Sequence, residues 1–249
     1  MVDTNPYNIK TIDGEDVAIR NEEYWKKKEQ EKFELYLIRS GIPKNYWDID
    51  FIDYQGDKSI DSKNKCEQYA KKCLEEKFHN VNLYLCGGNG DEEDSNGEEK
   101  THNVQKSMCA CAIGKEFLRQ GLKVQFVYAG KLLDLLLKTQ GFNYEEKFYN
   151  QLQKITDVDL LIIDDIFDTR KSQMFINNPD TIIALWDTFL RSFIHEDKRI
   201  IMTSNYSMNM IKKKFGESIH QLIERDFIQL LFYDDIKFIR RKRFENIWE

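Results

Sequence analysis

Three groups of residues carry side chains suited to chemistry. Lys106-Ser107 heads a run of small and apolar residues, Asp164-Asp165 ends the run LLII, and Asn205 ends the segment RIIMTSN. Upstream, the apolar stretch from Val81 to Cys86 meets the cluster Gly87-Gly88-Asn89-Gly90. A strand, a glycine turn, Lys-Ser and a helix are the parts of a phosphate-binding loop. A nucleoside triphosphate needs backbone N–H groups around its phosphates and a lysine to offset their charge. It also needs a hydroxyl and a carboxylate to hold Mg2+. In this reading Asp164 faces the Mg2+ shell, and Asp165 orients or deprotonates the attacking water. Two aspartates can also simply cap a buried strand, but the glycine loop before them and the polar strand end after them favour the chemical reading. Asn205 lies on the neighbouring strand and orients the same water. Arg225 precedes the strand FIQLLFY; it either faces the nucleotide of a neighbouring subunit or pairs locally with Glu224 or Asp226.

Two Lys-hydroxyl pairs compete for the loop, Lys100-Thr101 and Lys106-Ser107. Helix register separates them. Counting from Lys106, a turn later the chain presents Cys109, Ala110 and Ile113, a small-residue face that lets a helix lie close on a sheet. The same offsets from Lys100 give Asn103, Val104 and Ser107, a poor buried face. The working loop is therefore Gly87-Gly88-Asn89-Gly90 joined to Val104-Gln105-Lys106-Ser107, and Asp91 to Asn103 is an insertion. Two tensions follow. Gln105 stands where such a loop needs glycine, so backbone strain or a clash with phosphate is expected there. The insertion carries Asp91, Glu92, Glu93, Asp94, Glu98 and Glu99. One carboxylate ~4 Å from a phosphate charge costs ~4 kcal/mol at an effective dielectric near 20, so the insertion must loop away or nucleotide binding suffers.

The elements that position these residues read as alternating strands and helices. Strands are expected at 81–86, 123–128, 158–163, 199–202 and 227–233, with helices between them, including a pair near 207–215 and 217–225. VDLLII is apolar throughout, as a central parallel strand covered on both faces should be. The expected fold is α/β, a five-stranded, mainly parallel sheet flanked by helices, with little or no lid domain. Residues 1–19 read as a loose arm, followed by a charged helix from Asn21 to Arg39. The division is an arm and helix at 1–39 and a main domain at 40–249.

With 249 residues and 41% hydrophobic content, the chain can bury a full core. A net charge of −6 excludes a global field for nucleic acid or membrane. No apolar run reaches the ~18 residues of a membrane helix, and the polar N-terminus is no secretory signal. The five cysteines form no C-x-x-C pair and read as reduced thiols of a cytoplasmic protein, without a metal site. The tail from Lys237 to Trp248 mixes Arg240, Arg241, Lys242 and Arg243 with Phe238 and Phe244; it reads either as a solvated charged face or as a local patch for single-stranded nucleic acid.

Together these segments resemble the DnaC/DnaI/IstB group of AAA+ ATPases. The resemblance runs from Ser40 to Arg241, on SGIPKNYW (40–47), LYLCGGNG (83–90), KSMCACAIGKEFLRQGLKVQFVYAGKLLDLL (106–136), DLLIIDDI (159–166), RIIMTSN (199–205) and LIERDF (222–227). It implies an AAA+ P-loop core in which Lys106 and Ser107 are the Walker A pair and Asp164 and Asp165 are Walker B. Asn205 would be sensor 1, Arg225 the arginine finger, and Arg240 or Arg241 the sensor 2 arginine. It further implies ATP or ADP with Mg2+, nucleotide-dependent oligomers, single-stranded DNA, and a replicative helicase gripped by residues 1–39. Phe167 replaces the usual glycine after Walker B and Asp226 the usual leucine after the finger, which weighs on hydrolysis rate more than on fold. Two alternatives use the same residues: a non-catalytic adaptor with a decayed loop, and an IstB-like transposition helper.

Overall fold

The computed structural model describes residues 5–12, 15–75, 81–87, 105–140, 146–167, 179–196 and 198–232. In chain order the elements are strands β1 (Tyr7–Ile12) and β2 (Glu15–Arg20), helix α1 (Glu22–Ser40), short 3-10 turns at Lys44–Tyr46 and Phe51–Asp53, and helix α2 (Ile60–Leu74). Then come β3 (Asn82–Gly87), α3 (Lys106–Arg119), β4 (Val124–Tyr128), α4 (Ala129–Gln140), α5 (Glu146–Thr156) and β5 (Leu160–Asp164). The chain continues through α6 (Pro179–His195), β6 (Arg199–Ser204), α7 (Met208–Asp226) and β7 (Phe227–Phe232).

Five strands form one parallel sheet in the order β4-β5-β6-β3-β7. Every residue of β3 and β5 is buried, because helices cover both faces. Alternate strand residues feed two cores. Leu83, Leu85, Phe126, Leu160, Ile162 and Ile201 pack with α1, α2 and α3 on one face. Tyr84, Val127, Leu161, Ile163, Ile200 and Met202 pack with α4, α6 and α7 on the other. This period of two is what the pleat of a strand dictates.

Helix α3 lies deepest. Cys109, Ala110 and Ile113, the face expected from the register argument, are all fully buried. Gly114 completes that face: a Cβ built there would sit 2.8 Å from Ile162 Cδ1, so a larger residue would require the Ile162 side chain to shift. All five cysteines are buried free thiols. No described helix is long and apolar enough to cross a membrane.

The expected loose arm is different. Strands β1 and β2 pair antiparallel, with Tyr7 opposite Arg20 and Ile12 opposite Glu15. Asn21 ties it to α1: its side chain accepts from Tyr24 N–H at 3.2 Å as the helix cap, and its own N–H donates to Pro6 O at 3.0 Å. Trp25 Nε1 also donates to Pro6 O, at 3.2 Å. The signal was present, since Asp13-Gly14 stands between two alternating segments. It was hidden by polar residues on both faces of an exposed ribbon. The two helices expected near 207–215 and 217–225 occur as α7, broken at Gly216, whose φ of 83° is left-handed.

Candidate functional site

The proposed residues meet where the strands end. In a parallel sheet all carboxyl ends lie on one edge, and there the chain leaves β3, β5 and β6 and enters α3. Asp164 is the last residue of β5, 5% exposed, with Tyr128 beside it in register on β4. Ser107, in the first turn of α3, donates its hydroxyl hydrogen to Asp164 Oδ1 at 2.6 Å. Lys106, 4% exposed, donates from Nζ to Asn205 Oδ1 at 3.0 Å. Four residues chosen from three separated segments thus lie within one hydrogen-bonded neighbourhood.

Its electrostatics are those of a site built for charge. Burial pulls the Lys106 ammonium down from 10.5 to about 8, against the attraction of Asp165, Cys86 and Asp164. Burial raises the Asp164 carboxyl, while hydrogen bonds from Ser107 and Thr203 pull the other way. A buried lysine whose hydrogen-bond partner is a neutral amide is suited to receive an anion. A carboxylate beside a serine hydroxyl is the hard-oxygen set that Mg2+ prefers. These groups therefore fit a nucleotide phosphate and its cation.

Thr203 received no role from the sequence, yet it shapes the site. Its hydroxyl accepts from Asp165 N–H at 3.0 Å and donates to Asp164 Oδ1 at 2.7 Å. Ser204 Oγ donates to Ile166 O at 3.0 Å. These two hydroxyls at the end of β6 hold the turn after β5. That turn is strained: Asp165 has φ 56° and Phe167 φ 68°. Phe167, at the position where the resemblance expects glycine, is compensated by packing. Its ring lies 4.6 Å from that of Phe215 and 6.3 Å from that of Trp186.

Gln105 corrects one expectation. Its backbone angles, φ −76° and ψ 38°, do not demand glycine, and its side chain turns outward to accept from Gln55 N–H at 3.0 Å. Gly87 is the last residue of β3, opposite Phe232 on β7. Gly88, Asn89, Gly90, the insertion from Asp91 to Asn103, and Arg240 and Arg241 lie outside the described residues. Arg225 is not part of the neighbourhood. It is a surface residue in the last turn of α7, held by Asp226 through bonds of 2.9 and 2.7 Å. That is the local pairing weighed from the sequence.

Tyr46 was also missed. It comes from the 3-10 turn before α2, and its ring packs against the core that α3 shares. Burial, with Cys111, Asp164 and Tyr128 adding, pushes its pKa up, so the phenol stays neutral. A separate cleft of 840 Å³ between α5 and α6, lined by Tyr149, Phe189, Phe193 and Lys198, contains none of these residues. It opens near the start of β6, at the opposite end of the sheet.

The family model of IstB-like ATP binding proteins matches residues 15–221. Among solved structures, the DnaC helicase loader is 17% identical over 76% of this chain and 99% of its own, with a TM-score of 0.55. DnaI is 18% identical over 76% and 93%, with a TM-score of 0.53. The replication initiator DnaA bound to AMPPCP and single-stranded DNA is 14% identical over 79% of this chain and 51% of its own, with a TM-score of 0.52. At such identities the likeness to these structures is one of fold. Among curated proteins, none matches this chain.

Proposed function

The chain belongs to the family of IstB-like ATP binding proteins, of the DnaC/DnaI/IstB AAA+ type, and on that premise we propose that it binds Mg-ATP at the Lys106–Asp164 neighbourhood and uses the nucleotide state to control helicase loading. Lys106 holds the phosphates. Ser107 and Asp164 hold Mg2+. Asp165 and Asn205 position the water that attacks the terminal phosphate. Gly87, Gly88, Asn89, Gly90 and Gln105 form the remainder of the cradle. Arg225 reaches the nucleotide of a neighbouring subunit in an oligomer, and Arg240 or Arg241 contacts it within the same subunit.

The observation that carries this reading is the Ser107–Asp164 bond of 2.6 Å beside the buried Lys106. A hydroxyl and a carboxylate poised for a cation, next to a lysine whose hydrogen bond among the described residues goes to a neutral amide, form the charge pattern a triphosphate complements. Hydrolysis is slow or conditional, because the loop is interrupted and Arg225 is engaged by Asp226. Residues 1–39 serve as the helicase-binding segment and 40–249 as the ATPase domain. The partners are a replicative helicase, as the name of the DnaC loader suggests, and single-stranded DNA, as in the DnaA complex. Equilibrium titration with a fluorescent ATP analogue tests the reading. Binding by the wild type and its loss in Lys106→Ala support it; equal failure of both proteins to bind sinks it and leaves a scaffold without nucleotide.

A further inference from the structure

One residue at the end of β6 holds three consecutive residues where β5 turns, Asp164 to Ile166. The regular pairing of these strands ends at Ile163 opposite Met202. Beyond it Thr203, fully buried, takes over the contact with its own atoms. Its hydroxyl donates to Asp164 Oδ1 at 2.7 Å and accepts from the Asp165 N–H at 3.0 Å. Its carbonyl accepts from the Ile166 N–H at 2.8 Å. The following residues are fixed as well. Ser204 Oγ donates to Ile166 O at 3.0 Å and accepts from the Tyr206 N–H at 3.1 Å, and the buried Tyr84 hydroxyl donates to Tyr206 O at 2.7 Å. Between these bonds stands Asn205, which accepts from Lys106. One short segment therefore sets where the lysine and the Asp164 carboxyl group lie relative to each other.

The directions of the Thr203 bonds are not interchangeable. A backbone N–H only donates, and an ionised carboxylate only accepts. A threonine hydroxyl has one hydrogen and free lone pairs, so it meets both at once, whereas valine of the same shape meets neither. Ser107 donates to the same Asp164 Oδ1 at 2.6 Å. Two donors arriving at Oδ1 from different elements, α3 and β6, fix the rotation of the carboxyl group and with it the place of Oδ2. The bond from the Asp165 N–H meanwhile holds Asp165 at its left-handed φ of 56°, a conformation that a residue with a Cβ keeps only where its surroundings impose it. We propose that Thr203 is a positioning residue of the cation site: its hydroxyl bridges the Asp164 carboxyl group and the Asp165 N–H, and so presents Asp164 to Mg2+. The inference rests on the nucleotide reading above.

The test is the ratio of affinities for a fluorescent ATP analogue in saturating Mg2+ and in EDTA, measured on the full chain. A merely structural loss weakens both affinities together and leaves the ratio unchanged. Thr203→Val keeps the shape and loses the hydroxyl, and lowers the ratio about fivefold. Thr203→Ser keeps the hydroxyl and loses the methyl, and retains the wild-type ratio whatever it does to stability. Should Thr203→Val not fold, Thr203→Ala is read in its place. A hydroxyl-free variant with the ratio of a Mg2+-responsive wild type, or Thr203→Ser falling as far as Thr203→Val, overturns the assignment of Thr203 while leaving the nucleotide reading intact. A wild type without any Mg2+ effect overturns both.

Discussion

Replacing Lys106 by methionine should stabilise the unliganded protein while abolishing its ligand response. An ordinary lysine titrates at 10.5 and Lys106 at about 8, because burial disfavours the charge. At about 1.4 kcal/mol per pH unit, keeping the ammonium charged costs the fold roughly 3 kcal/mol at pH 7. Methionine of similar length removes that cost. It also leaves Asn205 Oδ1 without the donor now at 3.0 Å, a loss of about 1 kcal/mol. The net gain is about 2 kcal/mol, or a rise in Tm of about 4–8 °C for a chain of this size. The pH dependence is distinctive. Between pH 8 and 10.5 the folded wild type releases a proton that the unfolded chain retains. Unfolding then takes up a proton, so wild-type stability rises with pH through that window. The variant lacks this rise, so its advantage disappears towards pH 10.5. Urea unfolding of both proteins at pH 7 and near pH 10 measures the effect. A variant no more stable than wild type at pH 7 refutes the argument that Lys106 is a desolvated charge awaiting an anion.

Three other perturbations follow from the same neighbourhood. Phe167→Gly relieves a left-handed residue, worth about 1 kcal/mol. It also deletes a ring packed on Phe215 and Trp186, worth about 3 kcal/mol, so urea unfolding should show a net loss of about 2 kcal/mol. Asp226→Leu frees Arg225 from its 2.7 Å partner and should raise ATP turnover at protein concentrations that favour oligomers, with no effect where the chain is monomeric. Deleting Asp91 to Asn103 removes six carboxylates and should preserve the circular dichroism spectrum while tightening ATP binding; a chain that no longer folds would show that the insertion packs as part of the domain.

Much of the site was legible because periodicity reports which face of an element is buried. The register from Lys106 picked out Cys109, Ala110 and Ile113, and all three face the sheet core. LLIID is buried along its whole length, as an apolar run without alternation implies. What escaped were partners brought together by tertiary packing. Thr203 and Asp164 are 39 residues apart, and Lys115 and Ile49 are 66 apart. Tyr46 stood in an aromatic stretch whose composition gives no hint that its ring packs against the core shared with α3. The misjudged strain at Gln105 has a similar origin. The loop pattern assumes glycine geometry, whereas this chain enters α3 through an ordinary negative φ. The antiparallel pair β1–β2 shows the reverse case, a turn signal in the sequence overlooked because neither face of the ribbon is uniformly apolar.

A structure determined with Mg2+ and a non-hydrolysable ATP analogue tests the central claim most directly. The account predicts phosphate oxygens within hydrogen-bond distance of Lys106 Nζ and a cation about 2.1 Å from Ser107 Oγ, beside Asp164. Nucleotide seated elsewhere, such as the cleft between α5 and α6, or no bound nucleotide at saturating concentration, would contradict it.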